Sequence, residues 1–185
     1  MLTEWIYKMD FEILDWIQEN LRCLFLDRFC LFISFFGEKG WLFILMAVLF
    51  FCIPKYRKWG ISLASGLTLC LLFGNILIKN MVERQRPYNQ VEHYDLLVKE
   101  LNDYSFPSAH TMVAFALFGV VFLMPVKKRY KVSAGILAFL MAFSRLYLYV
   151  HFPSDVLVGM ILGVLFGVMG VRMVTMIMEE KNIDL

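Results

Sequence analysis

Three short polar clusters interrupt an otherwise apolar sequence, and their residue types suit the handling of a phosphate group. The clusters are Lys79 to Arg86-Pro87, Pro107-Ser108-Ala109-His110, and Ser144-Arg145 to His151 and Asp155. The planar fork of arginine and the point charge of lysine match the charge spread over phosphate oxygens. Ionisable residues at membrane depth are costly and mark functional sites by default. Together the clusters favour phosphoryl transfer.

The two histidines and the aspartate of these clusters have complementary roles in such a reaction. A neutral imidazole such as that of His151 is a competent nucleophile, and a carboxylate bonded to its other nitrogen fixes the tautomer. Asp155 follows four residues later and comes within reach if Pro153 turns the chain. His110 can protonate a leaving alkoxide, and the helix start at 108–110 offers backbone N–H groups and a hydroxyl to an anion. No cluster of carboxylates suits Mg²⁺, so the sequence predicts neither a metal nor a cofactor.

Each polar residue taken alone also has an ordinary structural explanation. Lys79 and Arg86 could anchor a helix at a membrane interface, and Arg145 could cap its helix. Ser108 is a favoured N-cap residue, and Asp155 would stabilise a helix N-terminus. The phosphate interpretation rests on the convergence of three cations, two histidines and a carboxylate on one face of the protein.

The composition is that of a membrane protein with a single domain, residues 1–185. Hydrophobic residues make up 60% of the chain and charged residues 18%, with a mean hydropathy of +0.66. Soluble domains are roughly 45–50% apolar and about 25% charged. The net charge of +2 is too small to indicate a nucleic-acid partner. The sequence therefore predicts an all-α, polytopic membrane protein whose partners are the bilayer and a lipid phosphate.

Six apolar stretches are candidate transmembrane helices, although several are shorter than the roughly 20 residues of a standard span. They are Leu24–Phe36, Trp41–Ile53, Gly60–Ile78, a stretch from Ser108 or Ala109 to near Pro125, Val132–Tyr149, and Pro153–Met178.

The first 20 residues have an apolar stripe at helical spacing, which predicts an amphipathic helix at the membrane surface. The stripe is Leu2, Trp5, Ile6, Met9, Ile13, Ile17 and Leu21. A helix packed against the spans is the alternative.

The distribution of lysine and arginine predicts which side of the cell membrane carries the polar clusters. With Arg28 set aside, six spans put 11 of these residues on the side of both termini and six on the side of the clusters. The positive-inside rule then assigns the termini to the cytoplasm and the active-site segment 79–106 to the outside. His93, in the middle of that segment, is expected to be a solvated loop residue.

The clusters resemble the signature motifs of the type 2 phosphatidic acid phosphatase family. Those motifs are Lys, six residues, Arg-Pro; then Pro-Ser-Gly-His; then Ser-Arg, five residues, His, three residues, Asp. The matching residues are Lys79, Arg86-Pro87, Pro107-Ser108, His110, Ser144-Arg145, His151 and Asp155. The motifs span 79–155, and the six-span layout extends the resemblance to nearly the whole chain.

The resemblance implies a metal-independent enzyme in which His151 forms a phosphohistidine, Asp155 orients it and His110 is the general acid. Ala109 stands where the family usually has glycine; it keeps its backbone N–H but would be strained if the position required a positive φ. The residues that hold the phosphate would be Lys79, Arg86, Ser108, Ala109, Ser144 and Arg145.

The resemblance implies a lipid substrate but leaves its identity open among phosphatidic acid, phosphatidylglycerophosphate and isoprenoid pyrophosphates such as undecaprenyl pyrophosphate. A lipid-linked phosphotransferase could use the same site, and the release of free phosphate separates the two activities. Vanadium-dependent haloperoxidases share the motifs but are soluble. An anion transporter would gather its polar residues at the midplane. The intact His110, His151 and Asp155 argue against a non-catalytic lipid-phosphate binder.

Overall fold

The computed structural model describes residues 2–91 and 95–181; Met1, His93 and residues 182–185 lie outside the described residues. Within those ranges the chain is helical and contains no β-strand, which confirms the predicted all-α class. Three short 3₁₀ turns also occur, at Glu38–Gly40, Pro54–Tyr56 and Pro87–Gln90. The longer elements are α1 (Leu2–Leu21), α2 (Leu24–Gly37), α3 (Trp41–Cys52), α4 (Arg57–Leu69), a π-helical segment (Cys70–Ile78), α5 (Lys79–Val82), α6 (Ala109–Leu123), α7 (Lys128–Tyr147) and α8 (Pro153–Lys181).

The centre of the bundle is the contact between α6 and α8, which approach closely because α8 presents glycines to α6. A Cβ atom on Gly163 would lie 2.3 Å from the Met112 carbonyl oxygen, and one on Gly167 would lie 2.3 Å from that of Ala116. Small residues at four-residue spacing are a common way for membrane helices to bring their backbones together. α7 packs against α6, α4 against α8, α3 against α4, and α2 against α7.

A continuous helical stretch from Arg57 to Val82 carries the first polar cluster. Its middle part, Cys70–Ile78, is π-helical, and α5 follows without a break, so that Lys79 begins the last turn. π-helical segments are rare and are frequent at functional sites. The predicted span Gly60–Ile78 is therefore part of a longer helix that changes its winding before it reaches Lys79.

The surface of the bundle is covered with exposed apolar side chains, among them Phe32, Phe139, Leu157 and Ile161. An apolar surface of this extent requires lipid contact. Three helical stretches of the described chain are long and apolar enough to cross a membrane: Leu24–Cys52, Pro54–Gln90 and Pro153–Lys181. The first of these is broken at Lys39 and Gly40, which have a positive φ. The protein spans a membrane, and these three stretches do not establish the predicted six crossings.

The end of the bundle that carries residues 83–91, 95–110 and 147–155, termed the polar end below, also carries α1. Leu14 and Ile17 of α1 are buried in a cluster with Tyr149 and Phe152, which link α7 to α8. Most of the predicted apolar stripe, including Trp5 and Ile13, remains exposed.

The first predicted span, Leu24–Phe36, was expected to separate the amino-terminal helix from the polar clusters, and this expectation is wrong. At the start of α2, the Tyr147 hydroxyl accepts a hydrogen bond from Cys23 N (3.1 Å) and donates one to Asp27 Oδ1 (2.6 Å). At its end, a Cβ atom on Gly37 would lie 2.4 Å from His110 Cδ2. Both ends of α2 thus contact residues of the polar end, so α1 lies on the same side as the polar clusters. The apolar pattern of α2 misled the prediction because a helix that packs obliquely has the same composition as one that crosses.

Candidate active site

A cavity of about 990 Å³ opens between the polar end and the helices α3 and α4. Its polar part is lined by two cations and two histidines that could bind or transfer a phosphate, Lys79, Arg86, His110 and His151. Asp103, which binds both cations, lines it as well. Its apolar part runs between α3 and α4 and is lined by Ile44, Val48, Phe51, Ile61, Ala64 and Leu71. The cavity therefore joins a group of cations and histidines to an apolar groove.

His151 lies in the link between α7 and α8 and is buried. Its Nε2 atom is 3.2 Å from Arg86 Nη1, and its Nδ1 atom is 3.4 Å from the Ser105 hydroxyl oxygen. Burial, reinforced by the charge of Arg86, lowers the pKa of His151 to about 3. The imidazole is therefore neutral at physiological pH. Because Nδ1 faces Ser105 and Asp155, the hydrogen-bond network assigns the ring proton to Nδ1 and leaves the lone pair of Nε2 beside the cavity.

The link between His151 and Asp155 includes a residue that the sequence did not reveal. Asp155 Oδ2 is 3.7 Å from His151 Nδ1, which is too long for a hydrogen bond. Ser105 lies between them, and its hydroxyl donates a short hydrogen bond to Asp155 Oδ2. The expected contact between histidine and carboxylate is therefore bridged by Ser105. The sequence signal for Ser105 was limited to its position two residues before Pro107, the first residue of the second motif.

Both oxygens of the buried Asp155 carboxylate are held by donors. Oδ2 accepts a second hydrogen bond, from the Phe152 N–H at 2.9 Å. Oδ1 accepts one from Arg84 Nη1 at 2.5 Å. Pro153 begins α8 and allows the turn that brings Asp155 back to His151, as the sequence predicted.

Lys79 and Arg86 meet at the Asp103 carboxylate, a half-exposed group that the sequence analysis did not single out. Arg86 Nη2 donates to Asp103 Oδ1 at 2.7 Å, and Lys79 donates to Oδ2. Arg86 Nη1 donates to the Val150 carbonyl at 2.7 Å, which anchors its guanidinium next to His151. Burial of the carboxylate raises the pKa of Asp103, but the hydrogen bond from Lys79 and the charge of Arg86 outweigh this effect and lower the pKa to about 2. Asp103 is therefore an anion at physiological pH.

The second motif forms the start of α6, where Ala109 and His110 line the cavity. Ala109 is the first residue of the helix and is not among the residues with a positive φ, so the methyl group causes no backbone strain. Ser108 occupies the N-cap position, but its buried hydroxyl lies 2.9 Å from Thr111 Oγ1 instead of capping a backbone N–H. The close packing of Gly37 against His110 leaves the imidazole little room to move.

Ser144 and Arg145 are buried at the end of α7, behind the wall of the cavity. The Ser144 hydroxyl donates to the Met141 carbonyl at 2.7 Å and accepts hydrogen bonds from Arg145 Nε (3.2 Å) and Nη2 (3.1 Å). The cavity wall thus contains five of the nine predicted site residues, namely Lys79, Arg86, Ala109, His110 and His151. Asp155, Ser108, Ser144 and Arg145 stand behind them.

Residues 59–179 match the PAP2 superfamily, a region that includes all three motifs and most of the chain. The chain belongs to this superfamily. The predicted resemblance is thereby confirmed, whereas α1 and α2 lie outside the matched region of this PAP2 protein.

Several relatives of this PAP2 protein carry the names of phosphatases. It is 31% identical to an undecaprenyl-diphosphatase of Sulfolobus acidocaldarius over 139 aligned residues. The aligned region covers 75% of this chain and 66% of that relative. The chain is 35% identical over 148 residues to phosphatidylglycerophosphatase B of Bacillus subtilis, with 72% of this chain and 68% of the relative covered. The crystal structure of Aquifex aeolicus LpxE superimposes with a TM-score of 0.72 and 27% identity, over 88% of this chain and 94% of that one. Family and relatives identify the chain as a membrane phosphatase.

Among residues 2–91 and 95–181, no group of three or more His, Cys, Asp or Glu side chains is arranged to hold a metal ion. Independence from metals stays a prediction for this PAP2 protein.

Proposed function

We propose that the protein is a lipid phosphatase that removes the terminal phosphate of a lipid phosphate or diphosphate through a phosphohistidine at His151. The observation that carries this proposal is the continuity of the cavity, in which His151, Lys79 and Arg86 adjoin the apolar groove between α3 and α4. α3 has 12 residues and is therefore about 18 Å long. A groove of this length accommodates part of a lipid chain while its phosphate reaches the cations.

The reaction consists of two displacements at phosphorus. Nε2 of His151 attacks the terminal phosphorus, the bond between phosphorus and the lipid oxygen breaks, and that oxygen takes the electron pair. His110 donates a proton to the leaving oxygen. A water molecule then gives a proton to His110 and attacks the phosphohistidine, the P–N bond breaks, and inorganic phosphate leaves. Asp155, through Ser105, keeps the proton of His151 on Nδ1 so that Nε2 remains the nucleophile.

The phosphate is stabilised by positive charge that is already in place when the substrate arrives. Lys79 and Arg86 contribute charge from the cavity wall, and Arg145 contributes it from behind the wall. The backbone N–H groups at the start of α6 face the same region, where the helix dipole favours an anion. Ser108 and Ser144 support this cradle as hydrogen-bond partners. Preorganised charge of this kind is usually the largest contribution to catalysis of phosphoryl transfer.

The substrate is an isoprenoid diphosphate or phosphatidylglycerophosphate at the outer surface of the cell membrane. Two relatives carry these substrates in their names, undecaprenyl-diphosphatase and phosphatidylglycerophosphatase B. The outward orientation is supported by two short connections opposite the polar end, which are rich in positive charge and therefore cytoplasmic. They contain Lys55, Arg57, Lys58, Lys127, Lys128, Arg129 and Lys131. The end of α8 at Lys181 lies on this cytoplasmic side, and α1 lies outside with the active site.

The test is a phosphate-release assay on the purified protein with phosphatidic acid, phosphatidylglycerophosphate, and isoprenoid mono- and diphosphates, each with and without EDTA. We expect one mole of free phosphate for each mole of lipid consumed, unchanged by EDTA. Loss of lipid without release of phosphate would instead identify a phosphotransferase. Activity that EDTA abolishes and Mg²⁺ or Zn²⁺ restores would contradict the metal-independent mechanism.

A further inference from the structure

Arg84 lies inside the first polar cluster, between Lys79 and Arg86, but its side chain points away from the phosphate cations. The side chain is 8% exposed and forms ion pairs with two buried carboxylates, those of Asp155 and Asp10. Asp10 belongs to α1, which lies outside the region that matches the superfamily. A buried guanidinium that joins the amino-terminal helix to the carboxylate behind His151 requires an explanation.

We propose that Arg84, held in place by Asp10, is a positioning residue that fixes the orientation of His151 through Asp155 and Ser105. The inference rests on the proposed function of His151 as the nucleophile, and it adds α1 to the parts of the chain on which catalysis depends.

The side chain of Arg84 determines how the Asp155 carboxylate is rotated. Nη1 of Arg84 binds Asp155 Oδ1 at 2.5 Å and the Ser154 hydroxyl at 2.7 Å. This leaves Asp155 Oδ2 to face the Ser105 hydroxyl and the imidazole of His151. Without Arg84, Oδ1 would be a buried oxygen with no cation, and the carboxylate would be free to rotate away from Ser105.

The backbone of Arg84 determines where Ser105 lies. The Ser105 N–H donates to the Arg84 carbonyl at 2.7 Å. Arg84 therefore holds both residues that face Nδ1 of His151. Its guanidinium holds Asp155, and its carbonyl oxygen holds Ser105. The two attachments explain how a bridged contact, longer than a direct hydrogen bond, can still specify a single tautomer.

The α1 helix supplies the other half of the support. Asp10 Oδ2 accepts a hydrogen bond from Arg84 Nη2 at 2.6 Å, and Oδ1 accepts one from the Ser154 N–H at 2.9 Å. The guanidinium also lies against two aromatic rings, with its carbon 4.5 Å from the centroid of Tyr7 and 3.9 Å from that of Phe152. A planar guanidinium clamped by rings and carboxylates has little rotational freedom.

Other residues of α1 hold the segment that leads to His151. Tyr149 has a positive φ of 58°, a conformation that non-glycine residues adopt at a cost, and its hydroxyl donates to Asp15 Oδ1 at 2.8 Å. Gln18 Nε2 donates to the Tyr147 carbonyl at 3.0 Å. These contacts compensate for the strained backbone at Tyr149, two residues before the nucleophile. The α1 helix therefore supports both the segment that leads to His151 and the side chain of Arg84.

Charge makes Arg84 difficult to replace. Asp10 and Asp155 are both almost completely buried, and the guanidinium between them is the cation that each one contacts directly. Removing one member of a buried ion pair leaves an uncompensated charge. Lysine would preserve the charge but would lose the fork that reaches both carboxylates.

The experiment compares Arg84→Met, Arg84→Lys and Asp10→Asn with a matched control on α1, Glu12→Gln, which removes the exposed Lys8–Glu12 pair. We expect Arg84→Met to lower kcat by roughly 10- to 100-fold, the range found for hydrogen-bond partners that orient metal-binding histidines, with KM changed by less than about threefold. Arg84→Lys should recover part of kcat. Asp10→Asn should lower kcat less than Arg84→Met does. Because both residues act through the contact between Asp10 and Arg84, the double variant with Arg84→Met and Asp10→Asn should have nearly the same kcat as Arg84→Met alone. Glu12→Gln should leave kcat unchanged.

A second measurement reads the position of His151 without turnover. In protein labelled with ¹⁵N-histidine, the wild type should give one neutral Nδ1–H tautomer for His151, and Arg84→Met and Asp10→Asn should give a mixture. If the wild type has this tautomer but no phosphatase activity, the proposed function fails and the positioning role stands. If Asp10→Asn, which keeps the Arg84 guanidinium, has wild-type kcat and tautomer, the positioning role of α1 is wrong. An Arg84→Met protein with wild-type kcat, or with a raised KM alone, would overturn the role of Arg84.

Discussion

Asp103 Oδ1 lies 2.7 Å from Arg86 Nη2, and the other oxygen of the same carboxylate is bound to Lys79. The two cations that are proposed to bind the phosphate thus already share an anion that belongs to the protein. Because a phosphate oxygen and a carboxylate oxygen use the same N–H donors, substrate must displace Asp103 or share the cations with it. Asp103 is half-exposed and lies in the segment between α5 and α6, where a side chain can move aside.

Asp103→Asn should therefore strengthen the binding of inorganic anions to the site. Orthovanadate, a phosphate analogue, should inhibit this variant with an inhibition constant roughly 3- to 10-fold lower than that of the wild type, because a like charge close to the anion has been removed. Glu100→Gln, an exposed acidic residue of the same segment, is the control and should change little. Equal or weaker inhibition of Asp103→Asn would mean that the carboxylate does not compete with phosphate.

The two histidines should fail differently when they are replaced. His151→Ala removes the nucleophile and should abolish turnover of every substrate. His110→Ala removes only the proton donor, whose contribution is roughly 10²- to 10⁴-fold. A lipid monophosphate leaves as a poor alkoxide, whereas a lipid diphosphate leaves as a lipid phosphate that needs the proton less. The loss in His110→Ala should therefore be larger for the monophosphate. Any trapped phosphoenzyme should be acid-labile and base-stable, and a phosphoserine at Ser108 would identify a different nucleophile.

The protonation state of His151 should be independent of pH across the physiological range. Its pKa is lowered by burial and by Arg86 to about 3, so the native state keeps it neutral while an unfolded chain would protonate it near the ordinary value. Stability should consequently fall as the pH drops from about 6.5 towards 3, because the unfolded state takes up the proton first. The ¹⁵N shifts of the His151 imidazole, assigned with His151→Asn, should remain those of a neutral ring at pH 5. A titration midpoint near 6.5 would contradict this prediction.

The residues proposed to contact the phosphate were predictable because the chemistry requires particular residue types at particular spacings. Lys79, Arg86, His110 and His151 all line one cavity, as expected from the motifs. Ser105 was not predictable in the same way. It lies 46 residues from His151 and 50 from Asp155, and a serine near a proline is common in any loop. Its role emerges only when the fold brings these segments together.

The position of α1 was mispredicted for a related reason. The expected side followed from the count of six spans, whereas α1 is held at the polar end by the buried ion pair between Asp10 and Arg84. An ion pair between residues 74 apart leaves no periodic signal in the sequence. The amphipathic stripe identified a helix but not the partner of its polar face.

The glycines of α8 lead to a prediction about stability. Alanine forms helices better than glycine by about 1 kcal/mol, so Gly→Ala in a helix should stabilise unless the methyl group collides. At Gly163 the methyl would meet the backbone oxygen of Met112 at 2.3 Å, whereas at Gly135 of α7 the nearest atom is a ring carbon of Phe118 at 3.2 Å. Gly163→Ala should lower the unfolding temperature in detergent by separating α6 from α8, at a cost of roughly 1–3 kcal/mol. Gly135→Ala is the matched control and should not lower it.

The corrected position of α1 predicts a specific topology, which single cysteines can test in intact cells. The four native cysteines are free, and Cys23 and Cys52 are exposed, so all four are first replaced. Cysteines are then introduced one at a time at three exposed positions: Lys8 on α1, Asn89 in the active-site segment and Lys128 at the start of α7.

An impermeant thiol reagent should label the Lys8 and Asn89 variants in intact cells, because α1 contacts the active-site end of the bundle. The Lys128 variant should react only after the cells are broken, since its connection is rich in positive charge and should lie in the cytoplasm. Labelling of Lys128 alone in intact cells would reverse the orientation but leave α1 beside the site. Opposite labelling of Lys8 and Asn89 would contradict the placement of α1 itself and, with it, the contact between Asp10 and Arg84.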